Sequence, residues 1–151
     1  MPRVPATFAS YHNTAELAIF RFGGAPDVYG AEETLTELAI EGLAAGTYFI
    51  SFVGAIVLGT NAADINPTVN VVPYIDGHAI GVGPIVSVYF PSVAEHQDGL
   101  FLPTAIPWQH VTELSAGSHT ITMKWRLSGT GTPDVSAFCN DSTLTLIRVH
   151  D

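Results

Sequence analysis

The side chains able to do chemistry in this 151-residue sequence are six histidines, one cysteine and fourteen carboxylates. Histidines that share a metal ion on one element recur two residues apart on a strand or four apart on a helix, where both reach the same side. His12, His78, His96, His110, His119 and His150 include no pair at either spacing. There is no His-Glu-x-x-His, and a single cysteine allows no Cys-x-x-Cys. His96-Gln97-Asp98 is a tight imidazole–carboxylate pair, and a loop histidine beside an aspartate is ordinarily solvated polarity. Asp64, Asn66 and Asp76 offer oxygen ligands, but no loop has EF-hand spacing.

Nucleophilic catalysis has no firmer basis. No Gly-x-Ser-x-Gly turn is present, and Cys139-Asn140-Asp141 has no flanking cation to hold a thiolate. Cys139 therefore reads as a small buried hydrophobe, and alone it forms no internal disulfide. Glycoside hydrolysis needs two carboxylates facing across a cleft. The fourteen acidic residues are spread too widely to place such a pair. Gly129-Thr130-Gly131 lies between strands rather than ahead of a helix, so it is no phosphate cradle. The expectation is a non-enzymatic chain with no catalytic group, metal or cofactor. A jelly-roll enzyme with scattered carboxylates is the alternative from another class.

Composition narrows the partners. The formal charge is −9 with only five Lys plus Arg, too few to neutralise phosphates over a useful area, so nucleic acid is not expected. An anionic membrane surface is not expected for the same reason. The first residues, Met-Pro-Arg-Val-Pro, lack the apolar stretch of a signal peptide. The most apolar run, Thr47 to Leu58, contains Ser51 and Gly54 and is too short for a membrane span. Hydrophobic residues make up 47% and charged residues 13%, which suits a well-buried or oligomer-forming protein. The length fits one domain with a sizeable core.

These side chains must be positioned by strands. From His119 the residues alternate: Ile121, Met123, Trp125 and Leu127 share one side with His119, while Thr120, Thr122, Lys124, Arg126 and Ser128 share the other. That period of two describes a sheet with one buried and one wet face. Thr47 to Leu58 is apolar on both faces, which fits a central strand or one face used by a neighbouring subunit. Ala15 to Phe22 is a further strand, and Leu35 to Glu41, ambiguous in period, is read as a strand ending at Gly42. Thr68 to Ile75 runs into Asp76-Gly77, a strong hairpin signal, with a return over His78 to Val82. Ile85 to Phe90, Leu100 to Pro103, Pro107 to Leu114 and Leu144 to Val149 complete the set. With fourteen Gly and ten Pro between them and no long helical pattern, this is an all-β, single-domain sandwich or jelly roll of about eight to nine short strands. Residues 1–10, with prolines at 2 and 5, are an N-terminal extended arm or edge strand; residues 11–151 form the domain.

The aromatic residues sit mostly at strand positions, so core packing is their default role. A cluster on one outer face would instead mark a subunit interface or a sugar-stacking platform. The candidate interface residues are Pro2, Arg3, Val4 and Pro5 on the arm and Tyr48, Phe52, Tyr74, Tyr89 and Trp108 among the aromatics. Lys124 and Arg126 join them as rare positive charges that either balance nearby carboxylates or meet an acidic partner.

Four motifs in order carry a resemblance. Ala45-Gly-Thr-Tyr-Phe-Ile50 is followed by the hairpin Val72-Pro-Tyr-Ile-Asp-Gly77, then by Leu114-Ser-Ala-Gly-Ser-His-Thr-Ile-Thr-Met-Lys-Trp125, and last by Ser142 to Val149. Over about Leu43 to Val149 the chain resembles TNF/C1q-like jelly rolls that recur in tailed-phage virion proteins, among them head decoration proteins and fibre heads. The resemblance implies a homotrimer with apolar strands near its axis. Without a shaft or collagen-like stalk it implies a bacteriophage capsid decoration (cement) protein. Such a protein sits on the capsid exterior of the virion and contacts the major capsid protein or other virion proteins. The alternative it implies is a receptor- or carbohydrate-binding head of a fibre or tail, with a host surface glycan as partner.

Overall fold

The computed structural model describes residues 8–21, 29–60, 68–81, 83–87, 100–128 and 135–150. Alternating and β-branched sequence gives ten strand segments among them: β1 (Phe8–Asn13), β2 (Leu17–Arg21), β3 (Glu33–Leu43), β4 (Gly46–Thr60), β5 (Thr68–Ile75), β6 (His78–Ala79), β7 (Ile85–Ser87), β8 (Leu100–Leu114), β9 (Gly117–Ser128) and β10 (Val135–His150). They form two antiparallel sheets. The front sheet has the order β1-β10-β4-β8, with β2 also on β10; the back sheet has the order β3-β9-β5-β6, with β7 also on β5. The long strands β3, β4, β5, β8, β9 and β10 lie in back, front, back, front, back and front sheets, except that β7 intervenes in the back sheet. Repeated crossing between two antiparallel sheets makes the fold a jelly-roll β-sandwich.

Each long strand gives one face to the space between the sheets. Tyr48, Ile50, Phe52, Ile56 and Leu58 of β4 meet Ile121, Met123 and Trp125 of β9 and Leu144 and Leu146 of β10, all at 0–1% exposure. The alternation places Ile121, Met123, Trp125 and Leu127 inside, with Trp125 the largest side chain fully enclosed. The other parity is no fully wet face: Thr122 and Ser128 are buried, and Thr120, Lys124 and Arg126 are half-buried. Buried Tyr48 keeps its hydroxyl satisfied by donating to the Ala44 carbonyl at 2.7 Å. At the predicted Asp76-Gly77 hairpin both residues have positive φ, 50° and 80°, as a tight primed turn between twisted strands requires.

Several boundaries differ from those the sequence suggested, each for a local reason. Of the two readings of residues 1–10, arm or edge strand, residues 8–10 take the second: they begin β1, an end strand of its sheet, which pairs with β10 from Phe8↔Ile147 to Asn13↔Ser142. Leu100 to Leu114 is one strand rather than two, pairing with β4 throughout despite Pro103 and Pro107. Residues four apart turn their backbone nitrogens to the same side, and β8 is the end strand of its sheet order, where a missing donor costs no ladder bond. The last strand begins at Val135, not Leu144, because a register shift between Cys139 and Asp141 breaks the alternation that would have revealed it. The return strand after the hairpin stops at Ala79 rather than Val82, and Gly81 (φ 68°) turns the chain there.

Candidate functional site

Of the seven large hydrophobic side chains exposed among the described residues, Phe8, Val53, Val111 and Ile147 face outward from the front sheet. The strand register aligns Phe8, Ile147, Phe49 and Val111 in one row across β1, β10, β4 and β8. Phe8 is 61%, Val111 58% and Ile147 39% exposed, far above what a side chain of this size shows inside a core. The next row is Ser10, Thr145, Ser51 and Gln109, and the one beyond is His12, Thr143, Val53 and Pro107. Val53 is 49% exposed. Small Ala55 and Ala105 continue the face beside Asp141. On these rows the ionisable side chains are His12 and Asp141, which are bonded to each other at 2.5 Å; Glu113 lies at one end, opposite Thr47.

The outer face of the back sheet has the opposite character. Tyr74 donates its hydroxyl to Glu32 at 2.6 Å, and that bond, with burial and the carboxylate charge adding to it, raises the phenol pKa. Arg126 donates from Nε to Asn70 at 2.9 Å, approaches Glu32 at 3.8 Å and lies 4.5 Å over the Tyr29 ring. Lys124 lies 4.5 Å over the Tyr74 ring. Thr122 donates to Glu37 at 3.1 Å. The two cations are therefore engaged with neighbouring rings and, for Arg126, a carboxylate.

A third constellation is Ser–His–Asp by type but not by geometry. His119 donates from Nδ1 to Asp76 at 2.7 Å and from Nε2 to the Ser115 carbonyl at 2.9 Å, while the Ser115 hydroxyl is 3.4 Å from Nε2. While the ring is protonated both nitrogens donate, and the Ser115 carbonyl, which can only accept, lies nearer to Nε2 than the Ser115 hydroxyl does. The bond to Asp76 is the main reason the His119 pKa is raised, with the Ser115 carbonyl helping and burial opposing. Asp76 also accepts the Thr120 N–H at 2.8 Å, which is the main reason its own pKa is lowered. The group is an imidazolium clasp joining the β5–β6 turn to the start of β9. Burial raises the Cys139 thiol pKa, so it is a poor nucleophile. Among the described residues no three His, Cys, Asp or Glu side chains group to hold a metal ion.

The structure scatters the predicted interface residues. Tyr48 and Phe52 are fully enclosed between the sheets and form no surface, which corrects their assignment: they occupy the inward parity of β4. Phe49 and Val53, on the outward parity, are the residues that were missed; the two-sided apolarity of this strand was their signal. Trp108 is half-buried, packs against the core and stacks on His110 with ring centres 5.5 Å apart. Tyr74, Lys124 and Arg126 do come together, but on the back sheet with Tyr29, Glu32 and Asn70. Phe8, Val111 and Ile147 were not singled out, because their exposure depends on which strands become neighbours. Pro2, Arg3, Val4, Pro5, Tyr89, Asp64, Asn66, His96, Asp98, Gly129 and Gly131 lie outside the described residues.

No protein-family model and no curated protein matches the sequence. Among solved structures, the chain is similar to infectious bursal disease virus, Gt strain, at 12% identity and a TM-score of 0.49, over 93% of this chain and 32% of that one. It is similar to the Eiger TNF of S. frugiperda at 13% identity and a TM-score of 0.39, over 97% and 95% of the two chains. A family 35 carbohydrate binding module from Clostridium thermocellum aligns at 13% identity and a TM-score of 0.35, over 92% and 98%. The chain spans about a third of the viral chain's length. At these identities and scores the likeness says nothing of ligand or partner, and the jelly-roll assignment stands on the strand order itself.

Proposed function

We propose that this chain is a non-enzymatic structural protein of a bacteriophage virion, a homotrimeric decoration protein on the capsid exterior. It would add apolar contact area at capsomer junctions. The observation that carries the reading is the nearly uncharged outer face of the front sheet. In a chain of net charge −9, copies repel one another over most of their surface. The row Phe8, Ile147, Phe49 and Val111 lies where that repulsion is smallest and apolar exposure greatest. Four strands about 4.8 Å apart, over the six residues along which β1 pairs at about 3.4 Å each, give a patch of roughly 19 by 20 Å. That is about half of the ~800 Å² per partner that stable interfaces bury, and the rest falls to the flanking strands. The occupant that fits is the margin of a second copy, because a three-fold ring is built from heterologous contacts.

The rival reading, a sugar platform on the back sheet, is less well served. Sugars stack on open aromatic faces, and Tyr74 and Tyr29 each present a face to Lys124 or Arg126. Sedimentation equilibrium of the wild type and of Val53→Asp and Val111→Asp tests the assembly. Both valines are exposed in the single chain, so the variants should fold, and each should dissociate a wild-type trimer. A wild type that stays monomeric at micromolar concentration refutes the trimer. Specific, tight glycan binding without attachment to phage heads refutes the decoration role.

A further inference from the structure

Within its described rows the front face carries one ionisable pair that its apolar and uncharged residues do not explain. His12 on β1 and Asp141 at the β10 register shift form an imidazole–carboxylate pair at 2.5 Å, with side chains 55% and 57% exposed. It stands beside Val53, Ala55, Pro107 and Ala105 of the neighbouring strands, none of which ionises. Ser10 and Thr143, on its own strands, are likewise uncharged. The connection from β1 to β2 adds Glu16, an exposed carboxylate. Beneath β1, β3 turns Leu35 and Leu38 inward and leaves Glu33, Glu37 and Glu41 exposed to solvent. Among the outward rows described, a second copy would bring His12, Asp141 and, in the end row that Thr47 shares with His150, Glu113.

We propose that association through the front face is coupled to proton uptake at the His12–Asp141 pair, so that assembly tightens as pH falls towards 6. This rests on the front face being the self-interface proposed above. In the single chain water screens the pair whichever state the imidazole is in. Covered by another copy, a neutral imidazole still donates to Asp141 but leaves an uncompensated carboxylate away from water. A protonated imidazole makes the covered pair neutral, so the assembled state favors the bound proton. By linkage the association constant falls by up to about tenfold per pH unit per coupled proton over the range in which the assembled state holds the proton and the single chain does not.

The test is sedimentation of the full chain at about pH 6 and about pH 8, with the wild type, His12→Gln, Asp141→Asn, His119→Phe and Val53→Asp. The wild type should associate at least about tenfold more tightly at the lower pH. His12→Gln keeps a donor that cannot titrate and should be weak and pH-independent. Asp141→Asn removes the carboxylate and should restore association at the higher pH. His119→Phe, on the other sheet, should keep the wild-type pH response. Wild-type association of equal strength at both pH values, or stronger at the higher one, overturns the proton coupling and leaves the interface standing. A wild type indistinguishable from Val53→Asp at both pH values overturns the interface, and the coupling with it.

Discussion

Replacing His119 with phenylalanine separates the clasp from the packing of its ring. The His119 side chain is 10% exposed, so an aromatic of similar shape keeps most of its apolar contacts, while both donors are lost. Hydrogen bonds involving a charged partner contribute about 1.5–3 kcal/mol each when well shielded, and neutral ones about 1. Asp76 is 44% exposed, and that end is screened by water, so the two bonds together are assigned about 2 kcal/mol in the protonated state. The folded pKa of His119 is raised, so its contribution is complete below the unfolded value of about 6.5 and declines as pH rises through the folded value. The folded pKa of Asp76 is lowered, so its contribution is complete above about 4 and is lost as pH falls through the folded value. The clasp is therefore strongest between about pH 4 and about pH 6.5. Above that window a neutral ring keeps the Nδ1 bond to Asp76 and gives up the one to the Ser115 carbonyl, leaving about 1 kcal/mol. At about 2–4 °C per kcal/mol for a chain of this length, His119→Phe should lower Tm by about 4–8 °C near pH 5.5 and by about half that near pH 8.5. Calorimetry or circular dichroism melts at one protein concentration measure the difference directly. An equal loss at both pH values, or a greater one at the higher pH, refutes the imidazolium clasp.

Two further substitutions probe the back sheet. A Cβ on Gly83 would stand 1.7 Å from the Val71 carbonyl oxygen and 2.8 Å from Pro73 Cδ, so Gly83→Ala must push the β7 approach away from β5. It should cost about 3 kcal/mol or more and lower Tm by at least about 6 °C, with faster exchange of the Val71 amide that now donates to Pro84. Unchanged stability would show that this approach is not as close as described. Thr36 Oγ1 is buried with no hydrogen-bond partner among the described residues, so Thr36→Val should be neutral or raise Tm by about 2–4 °C. A lower Tm would reveal a partner for that hydroxyl.

The sandwich was legible because its core obeys a period of two at the strands that matter most. Ile121, Met123, Trp125 and Leu127 needed only the alternation of β9 to be placed inside, and the structure buries all four. Where one residue breaks the count the pattern fails, as at the register shift before Asp141, and the first half of β10 escaped notice. Periodicity also cannot choose between two apolar parities. In β4 both Tyr48/Phe52 and Phe49/Val53 read as buriable, and only the position of the back sheet decides that the first pair is core and the second is surface. The apolar row across the front sheet is less legible still. Phe8 and Val111 are 103 positions apart in the sequence, and neither is remarkable until β10 and β4 lie between them. The same holds for the clasp: Asp76 reads as a turn residue and His119 as a strand start, and their 2.7 Å contact is a product of the fold.

One sequence echo gains a physical cause from the register. Leu43-Ala-Ala-Gly46 and Leu114-Ser-Ala-Gly117 are both points where the chain leaves one sheet for the other, from β3 to β4 and from β8 to β9. They lie side by side and antiparallel: Leu43 pairs with Gly117 in the back sheet, and Gly46 pairs with Leu114 in the front sheet. Each leucine is the last core residue before the crossing, 2% and 7% exposed, and each glycine is the first residue of the next strand. Similar sequence there requires no duplicated domain, because two neighbouring corners with the same task favour the same residues. The polar bonds of this end follow from that placement. Tyr48 closes back on the Ala44 carbonyl, Arg148 donates to the Ala45 carbonyl, and His119 donates to the Ser115 carbonyl. Three side chains from three strands thus serve carbonyls that the crossings take out of the ladders, and Asp76 ties the adjoining hairpin to the same end. The residues that made the chain recognisable as a jelly roll are therefore those that hold this corner. The outer face of the front sheet is built from other positions, so its interactions can change without disturbing them.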